Sequence, residues 1–202
     1  MLSIRAMRLC QDQGYSLLEI MLVMMLTVTV AAIAIPMSAN ALGNFRLSGD
    51  ARSVSNAVAL AKMRAASGFS KARLYVDLSA KRHHIEIYQK TGPPGWVWEG
   101  GATSISQGVT IGYGALASPP PSTQSTLAQA PSCLDSLGAV IANTACVVFN
   151  SRGIPVDATG APTVSDAIYL TDGTAVYGTT VIATGTIQLW RSGPTTAAWT
   201  KQ

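Results

Sequence analysis

The stretch GYSLLEIMLVMMLTVTVAAIAIP, from Gly14 to Pro36, constrains this chain more than any other part of it. From Tyr15 to Ile35 only Ser16, Glu19, Thr27 and Thr29 interrupt an apolar run. About 20 apolar residues of helix span the hydrocarbon core of a bilayer, so the length suits a membrane segment. Glu19 is the sole charged residue between positions 14 and 45. A carboxylate there costs roughly 2.5 kcal/mol or more unless something neutralises it. Arg5 and Arg8 precede the run, which predicts a cytoplasmic N-terminus with the bulk of the chain on the other side.

A conventional secretory signal is the first alternative. It would place small residues at a cleavage site after the apolar region, and Ser38-Ala39-Asn40-Ala41 has that character. That alternative leaves Glu19 unexplained. The run is also long for such a signal, and helical periodicity continues beyond it. Leu47, Ala51, Val54, Val58, Ala61 and Ala65 recur at steps of three and four, giving one apolar face. A helix from Tyr15 to near Ser67, ended by Gly68, is predicted. Pro36, Gly43 and Gly49 are positions where it could kink or melt locally, with harmless irregularity the equal alternative.

Beyond the helix the pattern changes to alternation. Leu74–Leu78 and His84–Tyr88 read as strands flanking a turn, and Gly92-Pro93-Pro94-Gly95 as a turn before Trp96-Val97-Trp98. Val109–Tyr113, Val140–Phe149, Ala167–Leu170, Ala175–Ala183 and Thr186–Trp190 complete the strand set. Residues 118–132, rich in Pro, Ser, Gln and Ala, read as a long exposed loop. Hydrophobic residues make up 48% of the chain and charged ones 12%. Those proportions exclude a disordered polyelectrolyte and suit a membrane or secreted protein. The net charge of +4 comes from scattered Lys and Arg, the pattern of a solvated surface rather than a nucleic-acid patch. Of the three cysteines, Cys133 and Cys146 are expected to pair as a disulfide if this part is exported; two separate buried thiols are the alternative.

Gly14, an aromatic residue, Ser16-Leu17-Leu18-Glu19 and a long apolar helix reaching Pro36 together resemble the class III signal of type IV pilins and type II secretion pseudopilins. "VVFNSRGIP" (Val147–Pro155) and "TTVIATGTIQLWR" (Thr179–Arg191) resemble segments of the GspH/FimT/FimU-like minor subunits. Phe149 before Gly153, and Gly185 before a final strand, are the matching features. Glycine is expected there because tight turns need positive φ. The resemblance implies an α+β, pilin-like fold in four parts. These are a leader, 1–14; a membrane or filament-core helix, 15–36; an amphipathic helix, 37–67; and a β-rich head, 68–202. It implies cleavage between Gly14 and Tyr15 by a prepilin peptidase, N-methylation of Tyr15, and pairing of Glu19 with the N-terminal amine of a neighbouring subunit. Tyr15 stands where the family more often has Phe.

The function implied is that of a structural subunit in the tip or initiation complex of a type IV pilus or a type II secretion pseudopilus. Its implied partners are other subunits, an inner-membrane assembly platform and, before assembly, lipid. The head would lie outside the inner membrane. A second reading, a FimT-like DNA-uptake pilin, needs clustered basic residues because phosphate contacts carry affinity. The tail offers Arg191 and Lys201, so nucleic acid is not expected as a partner.

No catalytic set stands out, and the chain is not read as an enzyme or as needing a cofactor. His83 and His84 are adjacent on a predicted strand, which sends them to opposite faces, and they read as the solvated end of a hairpin rather than as metal ligands. Asp157, Asp166 and Asp172 are read as loop residues; some related pseudopilins bind calcium, but their spacing here does not match a calcium loop. Trp96, Trp98, Trp190 and Trp199 read as packing residues, with an exposed Trp96–Trp98 face as an interaction surface the alternative.

Overall fold

A computed structural model describes residues 15–163 and 166–202. Cys10 and Gly14 lie outside the described residues. The chain forms two compact units, one ending at Ala41 and one running from Leu42 to Gln202. Helix α1 (Leu17–Ser67) supplies residues to both, and its helical assignment passes Pro36, Gly43 and Gly49.

In the first unit α1 is apolar on every side. Leu17–Ile35 has a mean hydropathy of 2.4, and none of it is buried against other parts of the chain. Its two threonines turn their hydroxyls inward along the helix: Thr27 Oγ1 donates to Met24 O at 2.9 Å and Thr29 Oγ1 to Leu26 O at 2.8 Å. Both hydroxyls are thus satisfied without water, as an apolar medium requires. In the second unit the predicted stripe is the centre of the core. Leu47, Ala51, Val54, Val58, Ala61 and Ala65 are each at most 1% exposed.

The end of α1 departs from expectation by one residue. The left-handed residue is Phe69, at φ 47, not Gly68. Ser70 N donates to Ala65 O and Phe69 N to Ala66 O, a Schellman arrangement that satisfies carbonyls the helix leaves open. A side chain with a Cβ is strained in that conformation by roughly 1–2 kcal/mol.

Nine strands follow among the described residues, in two antiparallel sheets. β1 (Ala72–Asp77), β2 (Arg82–Gln89), β3 (Gly95–Ser104) and β5 (Thr144–Phe149) form a four-stranded sheet in the order β3-β2-β1-β5. β4 (Thr110–Ile111), β6 (Asp166–Thr171), β7 (Val176–Val181), β8 (Ile187–Ser192) and β9 (Thr200–Lys201) form a five-stranded one in that order. The α+β class read from the sequence is present, with the head divided between two sheets. The division occurs at β5, whose outer edge is occupied by loop backbone: Cys146 N donates to Pro131 O and Val156 N to Val148 O. Those bonds fill the places a further strand would take. Leu74, Val76, Val147 and Phe149 from one sheet, with Ile168, Leu170 and Val181 from the other, join the α1 stripe in one core cluster.

The 118–132 loop is anchored rather than simply exposed, which corrects the sequence reading. Gln129 donates from Nε2 to Tyr169 O and accepts from Tyr169 N, so its amide stands in for a missing strand partner beside β6. Ala130 N donates to Ala167 O, and Ala130 is buried in the core. Gln and Ala look soluble in composition, but here they serve as edge caps. Replacing Phe69 with Gly is expected to raise stability by about 1 kcal/mol by removing the left-handed penalty. A urea midpoint of the full chain in detergent that falls or stays level would refute this.

Candidate functional site

The first candidate site is the start of α1. Ser16 caps it, its carbonyl accepting from Ile20 N at 3.1 Å, which places Glu19 in the first helical turn. A carboxylate there faces the positive end of the helix dipole, worth about 0.3–1 kcal/mol. That gain is too small to offset burial in hydrocarbon, so Glu19 needs a cation as well. Tyr15 and Glu19 are both exposed, Tyr15 just before the helix and Glu19 in its first turn.

The outer face of the four-stranded sheet carries a second polar constellation. Strand alternation sends Arg73 and Tyr75 of β1, and His84, Glu86 and Tyr88 of β2, to the face opposite Leu74 and Val76. The register sets Arg73 opposite Glu86 and Tyr75 opposite His84, with Trp98 opposite Glu86 and Trp96 opposite Tyr88. Arg73 Nε donates to Glu86 Oε2 at 2.6 Å, its Nη1 donates to Leu134 O, and its guanidinium lies 4.0 Å from the Trp96 ring centre. The other Glu86 oxygen lies 3.1 Å from His84 Nε2. The His84 ring stacks between Trp98 and Tyr75, 3.9 and 4.7 Å away. Burial pushes Arg73 below its usual pKa, with the Glu86 carboxylate working against that.

Neither histidine is solvated: His83 is 3% exposed and His84 4%. This corrects the sequence reading. The hairpin turn ends at Lys81 rather than His83, because β2 begins at Arg82. The opposite-face prediction for the pair holds, since His83 pairs with Val76 and His84 with Tyr75. Reasoning from sequence missed Arg73 and Glu86. Their signal was an opposite charge pair placed symmetrically about a predicted hairpin.

Cys133 and Cys146 form a disulfide with Cα atoms 5.0 Å apart. By loop-closure entropy a bridge of this span contributes about 3 kcal/mol. It ties β5 to a small turn in which Leu134 bridges Val140 and Asp135 Oδ1 accepts from Leu137 N and Ala139 N. Beside it runs a groove of 590 Å³ whose walls include Arg73, Tyr88, Trp96, Leu134 and Val148.

The two glycines singled out in the sequence meet in space. Gly153 and Gly185 have φ of 72° and 76°. A Cβ on Gly185 would stand 2.4 Å from Gly153 O, and one on Gly153 3.1 Å from Lys62 Cε. Lys62 Nζ, reaching from α1, donates to Gly185 O at 2.8 Å. Both turns therefore need glycine for conformation and for room.

Asp166 is not a loop residue: it opens β6 and is 3% exposed. Asp157 and Asp172 instead close tight turns, accepting from Thr159 N and Thr174 N. Among the described residues no three His, Cys, Asp or Glu side chains are grouped so as to hold a metal. Arg191 lies opposite Thr200 and Lys201 opposite Trp190, so alternation sends the two basic side chains to opposite faces. They cannot act together on one phosphate.

No family model matches the chain, and no curated protein matches it. Among solved structures, two of the minor pseudopilin EpsH from the type 2 secretion system of Vibrio cholerae are similar. One has a TM-score of 0.44 at 13% identity over 74% of this chain and 98% of that one. The other has a TM-score of 0.42 at 14% identity over 71% and 92%. Overlap of this extent carries no conclusion about the chain.

Two outcomes follow from these groups. Glu86→Ala leaves Arg73 buried without its carboxylate and is expected to cost about 3–5 kcal/mol; a loss below 1 kcal/mol in urea denaturation would refute the pairing. The second concerns Asp166, whose pKa is raised to about 7, chiefly by burial and then by the Asp157 carboxylate. From the ordinary carboxyl range up to that value the native state holds a proton that the unfolded chain releases. Stability therefore falls as pH rises from about 4 to 7 and levels off above, by roughly 4 kcal/mol in all from this group. Asp166→Asn is expected to recover that loss at pH 8 and to be close to neutral at pH 4, read from urea midpoints at both pH values.

Proposed function

We propose that this chain is a minor pilin or pseudopilin, a non-enzymatic subunit that enters a filament from the inner membrane. The observation that carries the proposal is a helix apolar on all sides, uncovered by the rest of its own chain, with one carboxylate in its first turn. In a bilayer that carboxylate is a liability. In a fibre of similar helices it meets the amine that cleavage between Gly14 and Tyr15 creates on a neighbouring copy. The difference between those two environments drives transfer from lipid to filament.

The head has the character of a structural module. It has a disulfide, a covered sheet edge and a polar cluster whose charges are already paired. Placement in the tip or initiation complex rests on the resemblance of Val147–Pro155 and Thr179–Arg191 to minor-subunit segments. Prepilin peptidase, an assembly platform and lipid are the partners this route requires.

Glu19→Ala is expected to leave processing and membrane insertion intact and to reduce incorporation into filaments at least tenfold. The measurement is the ratio of filament-associated to membrane-associated protein in a strain carrying the variant. Normal incorporation of the variant would overturn the assembly role of Glu19. A deletion strain unchanged in both surface pili and protein secretion would overturn the filament role itself.

A further inference from the structure

The turn closed by the Cys133–Cys146 disulfide carries an apolar projection beside an apolar hollow. The hollow is the groove of 590 Å³, lined by Tyr88, Trp96 and Val148 and, from the turn, by Ser136, Gly138 and Val140. Leu137, between Ser136 and Gly138 in sequence, is 94% exposed, and Val140 is 68% exposed. Turn tips ordinarily carry small or polar residues, so a leucine presented there needs a reason.

The projection is held from several directions. Asp135 Oδ1 accepts from Leu137 N and Ala139 N, both at 2.8 Å. Asp135 N donates to Ala139 O, Gly138 N donates to Asp135 O, and Leu134 bridges Val140. A knob ordered in advance loses little conformational freedom when it docks.

Charge identifies what fits. Lys71, Asp135 and Asp157 line the groove and take part in no ion pair among the described residues. Arg73, which also lines it, is committed to Glu86. The chain carries +4 overall, so two copies repel on average, but this face offers two carboxylates and one ammonium. A surface with its own knob, its own hollow and both signs of charge complements itself, because a two-fold axis sets each knob against the other hollow. Opposite charges that meet across such a contact fix its orientation. Asp135, at the base of the knob, travels with Leu137 toward a groove that holds Lys71.

We propose that two copies of this chain pair through this face, Leu137 of each entering the groove of the other and Asp135 of each meeting Lys71 of the other. The proposal goes beyond the filament reading and does not depend on it.

The test is sedimentation velocity of the full chain in detergent over a range of concentrations, at low and at high salt. The parent is expected to form a dimer. Leu137→Asp is expected to weaken the dimer roughly tenfold or more, and Leu137→Met to keep it. Lys71→Glu should weaken it more at low salt than at high. Lys81→Glu, the same charge change on the β1–β2 turn, should leave it unchanged. Association through the apolar helix would survive Leu137→Asp, and that result would overturn the proposal. A monomeric parent would overturn it too, leaving the groove to a different protein.

Discussion

The head is organised around a strip of six small or branched side chains on α1, Leu47 to Ala65, none more than 1% exposed. Alanines at three of the six positions let backbone approach closely, and Leu and Val fill the spaces between them. Both sheets contribute to the same cluster, so neither is an independent body. Losing volume anywhere along the strip would loosen two sheets together. The earlier part of the helix has no such partner within its own chain, and the contrast between its bare apolar surface and the packed strip gives the helix two different solvents.

Much of this was legible in the sequence because periodicity reports burial. The change from all-round apolar to one-faced along α1, the alternation in β1 and β2, and the β-rich runs at β5 to β8 point to the elements, with most strand bounds off by one or two residues. The glycines at 153 and 185 were read as turns, and both have positive φ. Other features depended on register. Arg73 and Glu86 become a pair only once their strands are aligned, and His83 looks like a turn residue and His84 like a solvated strand end until β2 is seen to begin at Arg82. β9, two residues long, has no period to detect. The 118–132 loop shows how composition misleads: Gln129 is polar because it replaces backbone partners, not because it faces water.

The polar groups of the head divide into two kinds. On the outer face of the four-stranded sheet Arg73, Glu86 and His84 are joined to one another, and aromatic rings cover them. Such a network fixes the alignment of β1, β2 and β3, because a shift by one residue would bury Arg73 in the apolar core. In a cleft between α1 and the β2–β3 edge, polar atoms are buried and unmet. The first arrangement secures a single register, and the second leaves His83 Nδ1 and one Glu99 oxygen without a partner while Arg64 holds the other.

The bond from Lys62 to Gly185 joins residues 123 positions apart. Contacts of such long sequence separation form late, since the intervening chain must be ordered before they gain anything. Synthesis delivers α1 first and the β7–β8 turn only after most of the head. Lys62 therefore waits for the Gly185 carbonyl until β1 to β7 have been made. The contact acts as a late clasp, closing over a head whose other strands are mostly in place.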